Sequence, residues 1–332
     1  MQTVAREFES VKVGNPSHFG GLTIFPLFRN GTAPGQPGYV LLEEAVLRGV
    51  ARVTELGEAG SVPELRFENL GEAPVLLLDG EELVGAKQNR VLNLTILAPA
   101  KQAIVIPVSC VEAGRWHAES DTFRPAGHVM YSRARAAKAA QVSFDMAVND
   151  SRRSDQSAIW GEVAEKADCL SAPSPTQAMN AIYNSRADSL DAYMRAFAWS
   201  EGQAGMAFAI GQAMGLDLMD HPSTMTSMFP KLVRSYALDA LEAPRSPAAT
   251  ADQMTNFLAR IDKAECLVRP AVGIGEDVRL TGQGISGAAL WAEERYVHLC
   301  AFTVNGNGGS RQFHTRISRP TRRRPAREQG QQ

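Results

Sequence analysis

From Leu22 to Val111 the apolar residues come in short runs, closed by glycine, proline or an Asn–Gly or Asp–Gly pair. Leu22-Thr23-Ile24-Phe25-Pro26-Leu27 is the first, and Arg29-Asn30-Gly31-Thr32 turns the chain after it. Leu65-Arg66-Phe67-Glu68-Asn69-Leu70 alternates, as a half-buried strand must when successive side chains point to opposite faces. Val75-Leu76-Leu77-Leu78 stops at the Asp79-Gly80 turn signal. Arg90 to Leu97 puts Leu92, Leu94 and Ile96 on one face. Ile104 to Val111 carries Pro107, which cannot donate to a ladder and so marks an edge or a bulge. Tyr39 to Arg48 reads as a short helix and Val53 to Leu56 as a strand. Runs this short, with short connections, predict a layer of antiparallel strands.

The pattern then changes. Ser132 to Val148 is rich in Ala, Arg and Lys, all good helix formers, and Ser157 to Leu170 continues in that style. Met179, Ile182, Leu190, Tyr193, Met194 and Phe197 repeat at near-helical spacing. Gly205 to Ile210 and Leu216 to Met219 read as strands. Asp220-His221-Pro222-Ser223 opens a helix with Ser223 as the expected N-cap. Ala251 to Lys263 is a further helix, and Val278–Leu280, Gly287–Trp291 and Tyr296–Phe302 are strands. The predicted fold is α+β, with an antiparallel β-sandwich-like N-terminal layer, a helical middle and a smaller C-terminal sheet with helices. We expect one integrated domain over 1–302, β-rich over 1–125, helical over 126–200 and α/β over 201–302. Residues 303–332, with a run of arginines among glycines and prolines, are expected to be a disordered tail.

Composition sets limits on function. In 332 residues, 34 Lys and Arg face 36 Asp and Glu, for a net charge of −2. A near-neutral chain is not built to coat nucleic acid, the basic tail apart. No apolar run reaches the length of a membrane span, and the N-terminus lacks the apolar core of a secretory signal, so a cytoplasmic protein is expected. The four cysteines, Cys110, Cys169, Cys266 and Cys300, are scattered without metal-ligand spacing, and no cofactor is called for. Asp217, Asp220 and His221 offer oxygen and nitrogen ligands, but a role in starting the next helix is the simpler reading. Gly282-Gln283-Gly284-Ile285-Ser286-Gly287 fits a dinucleotide-binding spacing, yet Ala288 to Trp291 reads as a strand where that motif needs a helix.

Two polar clusters interrupt the apolar runs. Gly80-Glu81-Glu82-Leu83-Val84-Gly85-Ala86-Lys87-Gln88-Asn89-Arg90 is longer than a hairpin connection requires. Lys87 and Arg90 would give charge-assisted donors to an anionic group, Gln88 and Asn89 would read amide or hydroxyl edges, and Glu81 or Glu82 would hold hydroxyls or a cation. The alternative is a solvated hairpin. Ser109-Cys110-Val111-Glu112-Ala113-Gly114-Arg115-Trp116-His117 is the second cluster. Glu112 shares parity with Ile104, Ile106, Val108 and Cys110, so it is paired or lies at a pocket mouth, with Arg115 as partner and Trp116 free to stack. The alternative is a purely structural Glu–Arg pair beside a core Trp. Cys110 is a candidate nucleophile only if a base lowers its pKa.

These two clusters, with Gly215-Leu216-Asp217-Leu218 and Pro230-Lys231-Leu232-Val233-Arg234-Ser235-Tyr236-Ala237-Leu238-Asp239-Ala240, resemble an uncharacterised prokaryotic family. It is the ADP-ribosylglycohydrolase- and rhodanese-phosphatase-associated protein domain, and the resemblance spans about residues 10–302. Through the neighbours its name records, it implies binding or hydrolytic processing of ADP-ribose or a related NAD-derived nucleotide. Lys87, Arg90 and Arg115 would then hold phosphates, Trp116 would stack, and Glu112 or Glu82 would act as acid–base. A non-catalytic partner-binding module and a thiol enzyme using Cys110 are the other expectations.

Overall fold

The structure is a computed structural model that describes residue 7 and residues 10–30, 35–57 and 60–304. It is mixed α+β, as expected. Of the expected tail, residues 305–332 lie outside the described residues, while Thr303 ends a strand, paired with Ile285, and does not belong to a tail.

Six strands close into a barrel in the order Ala103–Cys110, Glu64–Asn69, Ala51–Glu55, Phe123–Val129, Glu81–Gly85 and Arg90–Leu92. All pairings are antiparallel. The alternation read from the sequence explains the interior. Register places Val53 beside Phe67, Leu65 beside Ile106 and Val108 beside Leu92, and each of these side chains is buried in one core cluster. The sheet therefore curls shut where an open sandwich layer was expected, and closure removes the unpaired edges that an open sheet leaves exposed. Pro107 sits where Ala103–Cys110 passes from one partner strand to the other, pairing with Glu64 before the ladder continues at Val108 with Leu92.

The first long strand does not join this barrel. Leu22–Arg29 pairs with Gln203–Ile210, inside a nine-stranded antiparallel sheet that continues through Ala213–Met219, Arg295–Thr303, Ile285–Ala292, Glu276–Gly282 and Glu265–Pro270. Gly282 and Ile285 flank a hairpin in this sheet, which supports the rejection of the dinucleotide motif. A small sheet of Val40–Leu41, Val75–Leu77 and Ile96–Ala98 lies beside the barrel. Helix Ala251–Asp262 starts with a Thr250/Gln253 capping box and buries Met254, Phe257 and Ile261 against one face of the large sheet.

Helices Ser132–Asn149 and Pro222–Ala240 pack between barrel and sheet. The second begins with Pro222 in its first turn. Its N-cap is His221, two residues before the expected Ser223, and its ring accepts from Ser223 N. The first carries Arg135 and Lys138, both fully buried. Arg135 forks onto Asp217 of the sheet through Nη1 at 2.9 Å and Nη2 at 2.7 Å, and reaches Asp79 through Nε at 3.3 Å. Lys138 pairs with Asp79 and donates to the carbonyls of Leu92 at 3.0 Å and Asn93 at 3.1 Å. Tyr236 donates to Asp217, and His298 Nε2 lies 3.0 Å from its other oxygen. A buried charge is tolerated only when paired and hydrogen-bonded, and here four charged groups satisfy one another across three layers.

Candidate functional site

The polar stretch from Gly80 to Arg90 folds as a hairpin and not as a long loop. Its arms are Glu81–Gly85 and Arg90–Leu92. The turn depends on Gly85, at φ +130°, where an added Cβ would lie 2.7 Å from both Ser120 Oγ and Thr122 O. Ser120 Oγ accepts from Ala86 N at 3.0 Å and so ties the 112–122 segment over the turn. Both predicted clusters thereby meet at one end of the barrel.

Arg90 registers with Cys110 and Leu83, and Glu55 with Leu65, so Arg90, Cys110 and Glu55 top the column of apolar side chains filling the interior. Arg90 is fully buried. Its Nη1 donates to Gln88 O at 2.9 Å and more weakly to Gln88 Oε1 at 3.4 Å. Its Nε and Nη2 have no hydrogen-bond partner, and neither has Glu55 Oε2, although Nη2 lies 3.8 Å from Glu55 Oε1. Buried polar atoms are nearly always satisfied, so unspent donors and an unspent acceptor at one barrel end call for an explanation. Burial holds the Arg90 guanidinium below its ordinary pKa, while Cys110, Glu55 and Glu112 pull the other way. Trp116 is 48% exposed, and its ring lies 5.7 Å from both the Arg90 guanidinium and the Lys87 ammonium, within cation–π reach.

Arg115 is differently placed. Its donors go to Glu112 Oε2 at 3.0 and 2.7 Å, Asn89 Oδ1 at 3.1 Å, and the carbonyls of Ala86, His117 and Gly85. Glu112 Oε2 also accepts from Asn89 N at 3.0 Å. Burial works to raise the Glu112 carboxyl, but bonds from Arg115, Thr176 and Asn89 outweigh it and hold the group below the usual carboxylate range. Gln88, Asn89, Glu112 and Arg115 thus frame the barrel mouth, with Arg115 saturated by the frame. Burial pushes the Cys110 thiol up to about 11, with Arg90 opposing, which leaves a protonated and inert sulfur at neutral pH.

Glu81 and Glu82 are not brought to this mouth. Glu81 accepts from Lys231 Nζ at 2.8 Å and Leu78 N at 2.9 Å. Glu82 lies on the opposite face of its strand from Leu83 and meets His128 Nε2 at 2.5 Å. His128 sits where the Phe123–Val129 strand slips register, stacked 3.9 Å from Tyr183. The residue of this mouth that sequence reasoning missed is Glu55. Glu55 carried a signal, since it shares parity with the buried Ala51 and Val53.

Among the described residues, Asp217, His298 and Cys300 bring ligand-type atoms within 4.8 Å of one another. They are already committed: Arg135 and Tyr236 occupy Asp217, and His298 lies between Asp217 and Thr95 Oγ1, 2.7 Å from its Nδ1. Burial pushes the Cys300 thiol up to about 12. With Arg135 and Lys138 in place, the cluster suits hydrogen bonding and not a cation. Asp220 binds Tyr39 and Arg295, and His221 caps its helix, so the Asp217–Asp220–His221 ligand set does not assemble. A cleft of about 580 Å³ lies elsewhere, between residues 146–152 and 269–272, and holds none of the barrel-mouth residues. None of the helices described is long and apolar enough to cross a membrane.

Fold and site together define a mixed α+β protein whose small barrel is closed at one end by a polar, partly unsatisfied cluster. Residues 10–302 match the sequence profile of the ARG and Rhodanese-Phosphatase-superfamily-associated Protein domain, ARPP-1, and the chain belongs to that family. No curated protein and no solved structure matches it.

Proposed function

We propose that the barrel mouth binds a small NAD-derived nucleotide, with ADP-ribose as the leading candidate. The observation that carries this reading is Arg90, fully buried at the barrel end with Nε and Nη2 unpaired beneath the half-exposed Trp116. Leaving charged donors unmet in a dry site costs on the order of 1–3 kcal/mol each, which a ligand acceptor would recover. The nucleotide identity rests on the family's name, which associates it with ADP-ribosylglycohydrolase and rhodanese-phosphatase proteins. In this reading Trp116 supplies a stacking face, Lys87 stands at the rim, and Gln88, Asn89, Glu112 and Arg115 hold the frame. Binding is favoured over hydrolysis, because Glu112 is kept ionised by Arg115 and Glu82 faces away from Arg90. Cys110, buried and protonated, argues against a thiol enzyme.

Calorimetric titration with ADP-ribose tests the proposal. Arg90→Lys keeps the charge and loses the two-pronged edge, so it should weaken binding about tenfold or more, or ~1.4 kcal/mol. Absence of any heat of binding at millimolar ADP-ribose would remove the reading. The exposed face of Trp116 also suits a protein partner, and a partner-binding module would then be the better account.

A further inference from the structure

The barrel mouth holds unspent capacity of both signs. Arg90 Nε and Nη2 form one side of the guanidinium, a pair of parallel donors, while Nη1 is taken by Gln88. Beside it stands Glu55. Its Oε1 is 3.4 Å from Lys87 N and 3.8 Å from Arg90 Nη2, and its Oε2 is buried without a partner. The charges nearby are already balanced in pairs, Arg90 by Glu55 and Arg115 by Glu112.

This arrangement discriminates between parts of a nucleotide. A phosphate drawn to Arg90 would bring a second negative charge next to Glu55 in a desolvated place, where like charges disfavour one another strongly. It would also leave Glu55 Oε2 unmet. A planar group with an acceptor next to an N–H donor serves both signs: the acceptor faces the Arg90 donor edge, and the N–H faces Glu55 Oε2. The N7 acceptor and N6 amine of adenine have this form, as does a primary carboxamide. Such a ring also suits stacking on Trp116.

Resting on the nucleotide-binding reading above, we infer that the group taken into the barrel is an uncharged donor–acceptor edge of the adenine type. The phosphates stay outside, towards Lys87. Glu55 is then the residue that sets specificity, although neither polar cluster of the sequence contained it.

The experiment uses the full chain and three probes in calorimetry: ADP-ribose, adenosine and inorganic pyrophosphate. Adenosine should bind within about tenfold of ADP-ribose, and pyrophosphate should neither bind nor compete. Glu55→Gln, nearly isosteric and at the edge of the site, should weaken both nucleoside ligands by about tenfold or more. If the phosphates occupied the barrel, the same substitution would remove a repelling charge and tighten ADP-ribose. Competition by pyrophosphate, or tightening in Glu55→Gln, overturns this inference while the ligand site itself stands. Should none of the three probes bind the wild-type protein, both readings fall, and the unspent atoms are served by buried water. The comparison of probes on the wild-type chain decides the matter even if the variant folds poorly.

Discussion

Asp217 is the hinge of the buried charge network, and its neutralisation gives the clearest test of how the helix is joined to the large sheet. Asp217→Asn keeps the shape and removes the charge. Arg135 would lose its two-pronged partner and retain only the 3.3 Å contact to Asp79, a carboxylate that already serves Lys138. Two fully buried cations would then share one anion. Breaking a buried pair in this way costs about 3–5 kcal/mol, because the remaining charge stays desolvated. For a chain of this length that corresponds to a fall in Tm of roughly 6–10 °C, taking about 2 °C per kcal/mol. Chemical denaturation of Asp217→Asn, Arg135→Met and the double variant measures the coupling directly. The double variant should lose about 1–3 kcal/mol less than the sum of the singles. The pH dependence has a defined sign. Burial alone would raise the Asp217 pKa, but Arg135 and His298 outweigh it and hold the carboxyl well below its ordinary value. Its contribution is therefore full above the unfolded value of about 3.9 and is lost as pH falls through the depressed folded value. The gap between wild type and Asp217→Asn should stay constant from neutral pH down to about 5 and narrow only in stronger acid. A loss under about 1 kcal/mol, or strict additivity in the cycle, would refute the clamp.

Cys169 and Cys266 are exposed whereas Cys110 and Cys300 are buried, so a thiol reagent under native conditions should label the first pair only, as read by intact mass and peptide mapping. Rapid native labelling of Cys110 would contradict its raised pKa and revive the thiol-enzyme reading. Glu112→Gln should destabilise the fold by about 2–3 kcal/mol at neutral pH, since it weakens charge-assisted bonds from Arg115 and Asn89. The Glu112 pKa is lowered in the folded protein, so that difference should be full above about 4.3 and shrink as pH falls through the lower folded value. A pH-independent difference in urea unfolding would show that packing, not charge, carries it.

Local alternation makes the strands legible, and parity groups Glu112 with Ile106, Val108 and Cys110, although the strand itself ends at Cys110 and Glu112 pairs in a lone bridge with Ala178. Barrel closure was not legible in the same way. It depends on Ala103–Cys110 changing partners midway, from Glu64–Asn69 to Arg90–Leu92, and no local pattern encodes that choice. The placing of Leu22–Arg29 beside Gln203–Ile210 is likewise a long-range register that neither segment announces alone. Arg135 and Lys138 are a different case. They lie on the same stripe as Ala139, Val142 and Met146, which are buried, while Phe144 and Val148 on the same helix are 68% and 63% exposed. Reading the cations as solvent-facing and the apolar residues as core would therefore turn this helix the wrong way round. That inversion has a general cause. Where a charged residue occupies an apolar parity or an apolar stripe, the fold must supply its partner from a distant strand, and the partner marks where two layers are tied. At Arg135 that partner is present in full, as Asp217 and Asp79. At Arg90, on the inward parity of the barrel's last row, it is present only in part. A complete set of partners makes a clamp, and an incomplete set leaves donors and an acceptor unspent, which is why the proposed function rests on the barrel mouth and not on the larger charge network.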